Sequence, residues 1–190
     1  VTGFGPFTLD DGTRIDPNPS ALVARMAADA LQCQHATLPV SFTFAVTALR
    51  ALWQQTSCTH WLGIGLAAGR RSPSLELIAL NVEHAAARDD DGHLAVNRTI
   101  DHAGQLAPQV SLDAERCLAA VTAAGLPLTL SHHAGTFLCN RVLWEGLAAE
   151  SLGELTRAAF LHIPERAALT LTRSASVAAA VARFLVAPSA

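Results

Sequence analysis

The amino-acid sequence predicts an α/β fold in which helices cover both faces of a sheet, giving three layers. Short apolar runs alternate with segments of helical periodicity along the chain, and this alternation is typical of a sheet enclosed between helices. Hydrophobic residues make up 51% of the 190 residues and charged residues only 15%, so most of the chain can pack into a core. No linker or internal repeat interrupts the pattern, and we expect a single domain over residues 1–190.

In the first part of the chain, residues 1–2 are predicted to end a strand and residues 3–17, rich in Gly, Pro and Asp, to form a loop. Because the chain begins at what resembles the end of a strand, we expect that an N-terminal stretch is missing or that a tag was removed. Asn18 followed by Pro19 is typical of a helix start, and apolar side chains at helical spacing extend this helix to Leu31. The next predicted elements are a strand at 36–40, a helix at 42–53 and a strand at 60–66.

The second part of the chain continues the alternation around one long irregular segment. A strand is predicted at 76–82, followed at 83–108 by a segment in which charged and small polar residues dominate. A loop of this length inside a compact protein is usually functional or mobile. The remaining predicted elements are a helix at 112–124, a strand at 126–131, a helix at 138–151, a strand at 158–163 and a helix at 174–186.

Charge and hydropathy argue against several classes of function. The formal net charge of −3 gives no support for a basic patch, so we expect no nucleic-acid partner. No apolar run approaches the roughly 20 residues of a membrane span, and no signal-peptide pattern is present, so we expect no membrane partner. The four cysteines are irregularly spaced, which favours a reduced, intracellular protein without disulfides.

Cys139 is the candidate nucleophile. It follows the turn residue Gly135 and opens a predicted helix, whose backbone N–H groups and positive dipole end would stabilise a thiolate and hold an oxyanion. The alternative is a buried cysteine that behaves as a small apolar side chain. We assign that structural role to Cys33 and Cys117, which lie in helical patterns, and to Cys58 in a polar stretch.

His162 and Glu76 are the candidate base and orienting carboxylate. His162 ends an apolar strand, where it can take the thiol proton and later protonate a leaving amine; alternatively, it is a core histidine that caps the strand. Glu76 lies in the apolar segment 75–80, where a carboxylate is costly without a partner unless it faces solvent. His132 and His133 are the main competing histidines. A zinc site formed by these two with the candidate nucleophile fits no usual tetrahedral motif, so we expect no metal.

Four sequence blocks together resemble one known family. They occur in the family's order and span nearly the whole chain, at Thr2–Phe7, Gly69–Val82, Ser131–Asn140 and Phe160–Pro164. The run Ala-Gly-Thr-Phe-Leu-Cys-Asn in the third block is highly specific. On these blocks the chain resembles the pyroglutamyl peptidases, also called pyrrolidone-carboxylate peptidases, which are cysteine peptidases.

The resemblance carries several expectations about fold and function. It implies a triad formed by Glu76, Cys139 and His162, which needs no metal or organic cofactor. It implies an α/β/α sandwich around a central twisted, mostly parallel (mixed) sheet. It also implies a cytoplasmic enzyme acting on peptides with N-terminal pyroglutamate, and a homo-oligomer, since bacterial members are commonly homotetramers.

The resemblance also indicates a pocket for pyroglutamate, a neutral five-membered lactam whose recognition requires apolar walls and one or two amide-like hydrogen bonds. The alternative is that the apolar side chains near the candidate nucleophile only anchor loops. The residues expected to line this pocket are Phe4, Phe7, Phe137, Leu138 and Leu66.

Two departures from the family pattern bear on activity. Leu66 stands where the family typically has Gln, and Ala86 stands where it has an Arg near the oxyanion region; Arg88 would substitute only after a loop shift. Asp89 matches the family, although we interpret residues 89–91 as a solvated acidic turn. Two alternatives to the peptidase therefore stay open: a cysteine hydrolase of the same fold with drifted acyl specificity, and a catalytically weak relative that acts as a binding protein.

Overall fold

The computed structural model describes residues 1–9 and 12–188 and contains a six-stranded sheet between two layers of helices. The elements in chain order are β1 (Thr2–Phe4), β2 (Phe7–Thr8), β3 (Arg14–Ile15), α1 (Pro19–Leu31), β4 (Ala36–Leu38), α2 (Phe42–Thr56), β5 (His60–Leu66), β6 (Ser74–Glu76), α3 (Ala114–Ala123), β7 (Thr129–Ser131), α4 (Leu138–Ser151), β8 (Arg157–Ile163) and α5 (Leu171–Val186). The strand order is β4-β1-β5-β8-β6-β7, and only the pair β8–β6 of this sheet is antiparallel. The predicted three-layer sandwich with a mostly parallel, mixed sheet is confirmed.

The side chains of the central strands divide the core between two faces. Along β8, Phe160 joins the apolar cluster formed with α2 and α4, whereas Leu161 joins the cluster formed with α1, α3 and α5. Along β5, Trp61 and Leu62 divide in the same way. Because strand side chains alternate between faces, burial on both sides explains why these strands are continuous apolar runs in the sequence.

The predicted strand at 76–82 is wrong beyond its first residue. β6 ends at Glu76, and the buried side chain of Asn140 then binds the backbone groups that follow. Its Oδ1 accepts from the N–H of Leu80 at 2.8 Å, and its Nδ2 donates to the carbonyls of Leu80 at 2.8 Å and Val82 at 3.0 Å. An amide side chain both donates and accepts, as a neighbouring strand does, so the apolar segment leaves the sheet with its backbone groups paired.

Three other expectations meet the structure in different ways. Asn18 caps α1 as predicted, since its side chain accepts from the N–H of Ser20 at 3.0 Å. The predicted loop 3–17, of which residues 10 and 11 lie outside the described part of the chain, contains the short hairpin β2–β3. Cys33 is exposed rather than buried in a helix, because α1 ends at the left-handed residue Gln32, with a φ of 52°.

The long irregular segment predicted at 83–108 is confirmed as irregular. The described structure between β6 and α3 has no helix or strand, only isolated bridges such as the one between Glu83 and Arg98. Within the described ranges of the chain, no helix is both long enough and apolar enough to cross a membrane.

Candidate active site

Cys139 lies in the first turn of α4, against the carboxyl-terminal half of β5. Gly135, in the left-handed region with a φ of 80°, turns the chain toward the helix, and Phe137 occupies the N-cap position without a side-chain hydrogen bond. The sulfur rests on Gly65, where an added methyl group would lie 2.7 Å from Sγ. Only a residue without Cβ lets the helix approach the strand this closely.

The first turn of α4 also offers backbone donors beside the sulfur. The N–H groups of Leu138 and Cys139 have no acceptor in the described part of the chain, as is usual at a helix start without a capping side chain. Such groups, with the positive end of the helix dipole, favour an anion. The turn is therefore suited to hold the oxyanion of a tetrahedral intermediate.

The register of the sheet brings His162 and Glu76 to the face that carries the sulfur. His162 is paired with Gly65 in the parallel β5–β8 ladder, and Glu76 is paired with Phe160 in the antiparallel β6–β8 ladder. Paired residues direct their side chains to the same face of a sheet. The imidazole Nδ1 lies 2.7 Å from Glu76 Oε1, and the thiol of Cys139 is near enough to the ring to raise its pKa. The three residues predicted to form a triad are thus brought together in one connected array.

Burial and charge set the protonation states of this array. Glu76 is fully buried and His162 is 5% exposed. Burial alone would lower the pKa of His162, but the neighbouring Cys139, followed by the hydrogen bond and charge of Glu76, raises this pKa to about 9. Burial would raise the pKa of Glu76, yet the hydrogen bond and charge of His162 and smaller contributions from two neighbours hold it below its usual value. These shifts favour an imidazolium paired with a carboxylate, and an imidazolium beside a cysteine favours the thiolate.

Arg70 is a neighbour of this array to which the sequence analysis assigned no role. Its Nη1 donates to Glu76 Oε1 at 2.6 Å, and its Nη2 donates to Ser131 Oγ at 3.2 Å. Arg70 belongs to the connection between β5 and β6, six residues before the carboxylate it binds. The signal that was available is an arginine near a carboxylate in an apolar strand, because a buried carboxylate requires a partner.

One apolar pocket leads to the sulfur. The residues predicted to bind the substrate all line it together with Cys139: Phe4, Phe7, Leu66, Phe137 and Leu138. The sequence analysis missed two other lining residues, Asn18 and Val40. Asn18 had been given only its role as a helix cap, but its Nδ2 also donates to the carbonyl of Gly5 at 2.8 Å, which fixes the connection between the strands that carry Phe4 and Phe7.

Comparison with known proteins adds an independent observation. A family model described as pyroglutamyl peptidase matches residues 1–187 of this chain. The chain belongs to the pyroglutamyl peptidase family. The resemblance inferred from the four sequence blocks is thereby confirmed.

Relatives and solved structures of this family match most of the chain. The pyrrolidone-carboxylate peptidase of Streptomyces coelicolor is 32% identical over 165 residues, which cover 86% of this chain and 72% of that protein. The one from Streptococcus suis is 34% identical over 167 residues, which cover 86% and 76%. The crystal structure of pyroglutamyl peptidase I from Bacillus amyloliquefaciens superimposes with a TM-score of 0.87 at 24% identity, covering 97% of this chain and 94% of that one. At this identity the structural likeness shows a shared fold.

This member of the pyroglutamyl peptidase family departs from the family pattern around the pocket. Leu66 places an apolar side chain in the wall where the family typically has an amide. Ala86 and Arg88 line a larger neighbouring cavity of about 670 Å³ that shares three of its lining residues with the pocket. Arg88 Nη1 donates to the carbonyl of Gly92 at 2.6 Å, so the side chain binds its own loop and does not take the place of the missing arginine.

The acidic run 89–91 is not uniformly solvated. Asp90 and Asp91 are exposed, but Asp89 is buried, and our interpretation of it as part of a solvated turn is wrong. Its Oδ2 accepts from the N–H of Phe42 at 2.9 Å, and its Oδ1 accepts from the N–H groups of Asp91 at 3.1 Å and His93 at 2.8 Å. The carboxylate therefore ties the irregular segment to the first turn of α2, where a negative charge is favoured.

The competing histidines and the other cysteines have structural positions. His132 and His133 are exposed, and Nδ1 of His133 accepts from the N–H of Gly135 at 3.1 Å, so this ring orients the turn before α4. Cys117 is buried as predicted, and burial raises its pKa to about 11. Cys58 is half-buried. In the described part of the chain, no three His, Cys, Asp or Glu side chains are grouped to hold a metal ion.

Proposed function

We propose that this protein is a cysteine peptidase that removes N-terminal pyroglutamate from peptides, with Cys139 as nucleophile, His162 as acid and base, and Glu76 as orienting carboxylate. The observation that carries the proposal is the imidazole, which bonds the buried carboxylate of Glu76 and lies near the thiol of Cys139 beside an apolar pocket. Family membership supports the substrate, because the relatives are named pyrrolidone-carboxylate peptidases.

The lining of the pocket favours a neutral acyl group. Apart from the thiol of Cys139, none of the described residues that line it has an acidic or basic side chain. A free amino terminus would require a carboxylate or several acceptors, because burying an unpaired ammonium is costly. A lactam has no such charge, and aromatic and aliphatic walls suit its flat ring.

The acylation step uses charges that are already present in the site. The thiolate of Cys139 attacks the carbonyl carbon of the pyroglutamyl residue, a C–S bond forms, and the carbonyl electron pair moves to oxygen. The N–H groups of the first turn of α4 stabilise this oxyanion. The imidazolium of His162 then gives its proton to the nitrogen of the leaving amine as the C–N bond breaks, and a thioester remains.

Hydrolysis of the thioester reverses the role of the imidazole. Neutral His162 takes a proton from water, and the water oxygen attacks the thioester carbonyl. Pyroglutamate leaves as the C–S bond breaks, which regenerates the thiolate beside an imidazolium. Glu76 accepts the hydrogen bond from Nδ1 in both stages, so the ring keeps one orientation and its cation is stabilised when it forms.

The test is release of aminomethylcoumarin from its pyroglutamyl amide under reducing conditions, with and without iodoacetamide. We expect turnover that iodoacetamide abolishes. Cys139→Ser should remove it, whereas Cys33→Ser should keep it, because Cys33 is exposed and lines a different cavity. Turnover by a folded Cys139→Ser protein would refute the assignment of the nucleophile.

A second candidate is a cysteine hydrolase of the same fold that prefers another acyl group. The observation that favours it is Ala86, because its small side chain leaves an open cavity where the family has an arginine. A panel of N-acyl and N-aminoacyl aminomethylcoumarin amides separates the two functions. If an amide other than the pyroglutamyl one gives the highest kcat/KM, the second function replaces the first.

We further propose that the protein is a cytoplasmic homotetramer. This proposal rests on the resemblance to bacterial members of the family. Fractionation of the source cells and light scattering of the purified protein test its two parts. A secreted protein would contradict the first, and a monomer at micromolar concentration would contradict the second.

A further inference from the structure

We propose that Arg70 is a positioning residue whose charge balances that of Glu76 and thereby sets the pH range in which the thiol and the imidazole work. The inference rests on the proposed function, because it takes Glu76, Cys139 and His162 as the reacting array. It deepens that function by assigning a fourth group to the array, one that does not touch the substrate.

The contacts of Arg70 converge on one carboxylate oxygen. Glu76 Oε1 accepts from Arg70 Nη1 at 2.6 Å and is 2.7 Å from the Nδ1 of His162. The second guanidinium nitrogen, Nη2, donates to Ser131 Oγ on β7. Two strands thus fix the planar guanidinium, and two cationic groups share one carboxylate oxygen.

The charges that face the carboxylate come from a small number of elements. β8 supplies His162, the β5–β6 connection supplies Arg70, and β7 supplies only the uncharged hydroxyl of Ser131, while Cys139 on α4 acts on the imidazole. When the thiol ionises in the proposed mechanism, the thiolate, imidazolium and carboxylate together carry one net negative charge. The guanidinium offsets this charge beside the buried imidazole and carboxylate.

Removal of the guanidinium should make the array hold protons more tightly. A net charge in a buried site is costly, so the groups titrate at higher pH when a neighbouring cation is lost. A cation within about 4–6 Å lowers the pKa of a carboxyl group by about 1–3 pH units. Because the side chain of Arg70 is 29% exposed, we expect the lower end of this range, about one pH unit.

The proposal therefore differs from a purely structural role in a measurable way. When an uncharged residue replaces Arg70, the acid and alkaline limbs of the bell-shaped pH dependence of kcat/KM should both move up by about one pH unit. An arginine that only held the β5–β6 connection in place would lower the rate by a similar factor at every pH and leave both limbs where they are.

The experiment compares four proteins: wild type, Arg70→Gln, Arg70→Lys and Arg71→Gln. Arg71 is the matched control, an exposed neighbour for which the described structure shows no ion pair or hydrogen bond. For each protein, kcat/KM toward the pyroglutamyl fluorogenic amide and the rate of iodoacetamide alkylation of Cys139 are measured from about pH 5 to pH 10. Should Arg70→Gln not fold, Arg70→Met carries the same test.

We expect the limbs of Arg70→Gln to lie about one pH unit higher, with kcat/KM on the acid limb about tenfold lower than in wild type at the same pH. Arg70→Lys, which keeps the charge, should retain the wild-type limbs, and Arg71→Gln should superimpose on wild type. Limbs that stay in place in Arg70→Gln, or that move equally in Arg70→Lys, would overturn the proposal. Alkylation requires no substrate, so a shifted alkylation profile in a protein that does not release pyroglutamate would refute the proposed substrate and leave the role of Arg70 standing.

Discussion

Replacement of Gly65 by alanine tests whether contact with β5 fixes the sulfur. A methyl group there would lie 2.7 Å from Cys139 Sγ and 2.9 Å from Phe160 Cζ, whereas non-bonded atoms prefer about 3.5–4.0 Å. The phenyl ring is fully buried in a close-packed core, so the sulfur has to move by about 1 Å. A misplacement of about 1 Å costs on the order of 10²-fold in rate. We expect kcat/KM of Gly65→Ala toward the pyroglutamyl amide to fall about 100-fold.

Gly63→Ala is the matched control for this prediction. Gly63 lies two residues earlier on the same face of β5, and its methyl group would meet Phe160 at 2.5 Å and Trp61 at 2.6 Å, but not the sulfur. Overpacking of this kind costs about 1–3 kcal/mol, so Tm should fall while the folded protein keeps kcat/KM within about threefold of wild type. Thermal melts and titration of the reactive thiol give the fraction of folded protein, so that a loss of folded protein can be distinguished from a lower rate per active site. A folded Gly65→Ala protein with wild-type kcat/KM would refute the reasoning.

Three further predictions follow from charges and hydrogen bonds. Glu76→Gln removes a carboxylate that raises the pKa of His162, so the alkaline limb of the kcat/KM profile should move down from about pH 9. The rate should fall on the order of 10²–10⁴-fold. An alkaline limb that does not move in a pH-rate profile argues against Glu76 as the partner of His162. Asn140→Ala leaves three backbone groups unpaired and should lower the free energy of unfolding by about 3 kcal/mol in urea titrations; a loss under about 0.5 kcal/mol contradicts this. Asp89→Ala should lower the free energy of unfolding by about 2–3 kcal/mol in the same measurement, whereas Asp90→Ala should leave it almost unchanged. Equal effects of the two substitutions would contradict a buried, hydrogen-bonded role for Asp89.

Sequence patterns predicted the elements whose formation depends on local signals. Asn18 before Pro19 marks the start of α1, because a side-chain cap and a pre-set φ act within one turn. The helix that begins after Gly135 was found in the same way. The triad residues were predicted from chemistry and family resemblance, and the structure brings them together; their catalytic roles stay predictions.

The features that sequence reasoning missed depend on distant contacts. The apolar segment after Glu76 satisfies the pattern of a strand, yet its hydrogen-bond partner is the side chain of Asn140, some sixty residues away. Three consecutive aspartates give no indication of which one is buried, because the choice depends on the position of the first turn of α2. Arg70 lies only six residues from Glu76, but its second contact, with Ser131, depends on the pairing of β6 with β7.

The position of Asn140 immediately after Cys139 has an evolutionary consequence. One residue presents the sulfur, and the next anchors the backbone at Leu80 and Val82, so mutations in that anchored stretch would disturb the reactive thiol directly. The stretch 85–88, which lines the wide cavity, begins three residues beyond the last anchored carbonyl and can accept substitutions such as Ala86 with the reacting groups left in place. Beside the substrate, substitutions are therefore tolerated in the short stretch 85–88. New acyl preferences can be selected there while the residues that carry out the reaction stay unchanged.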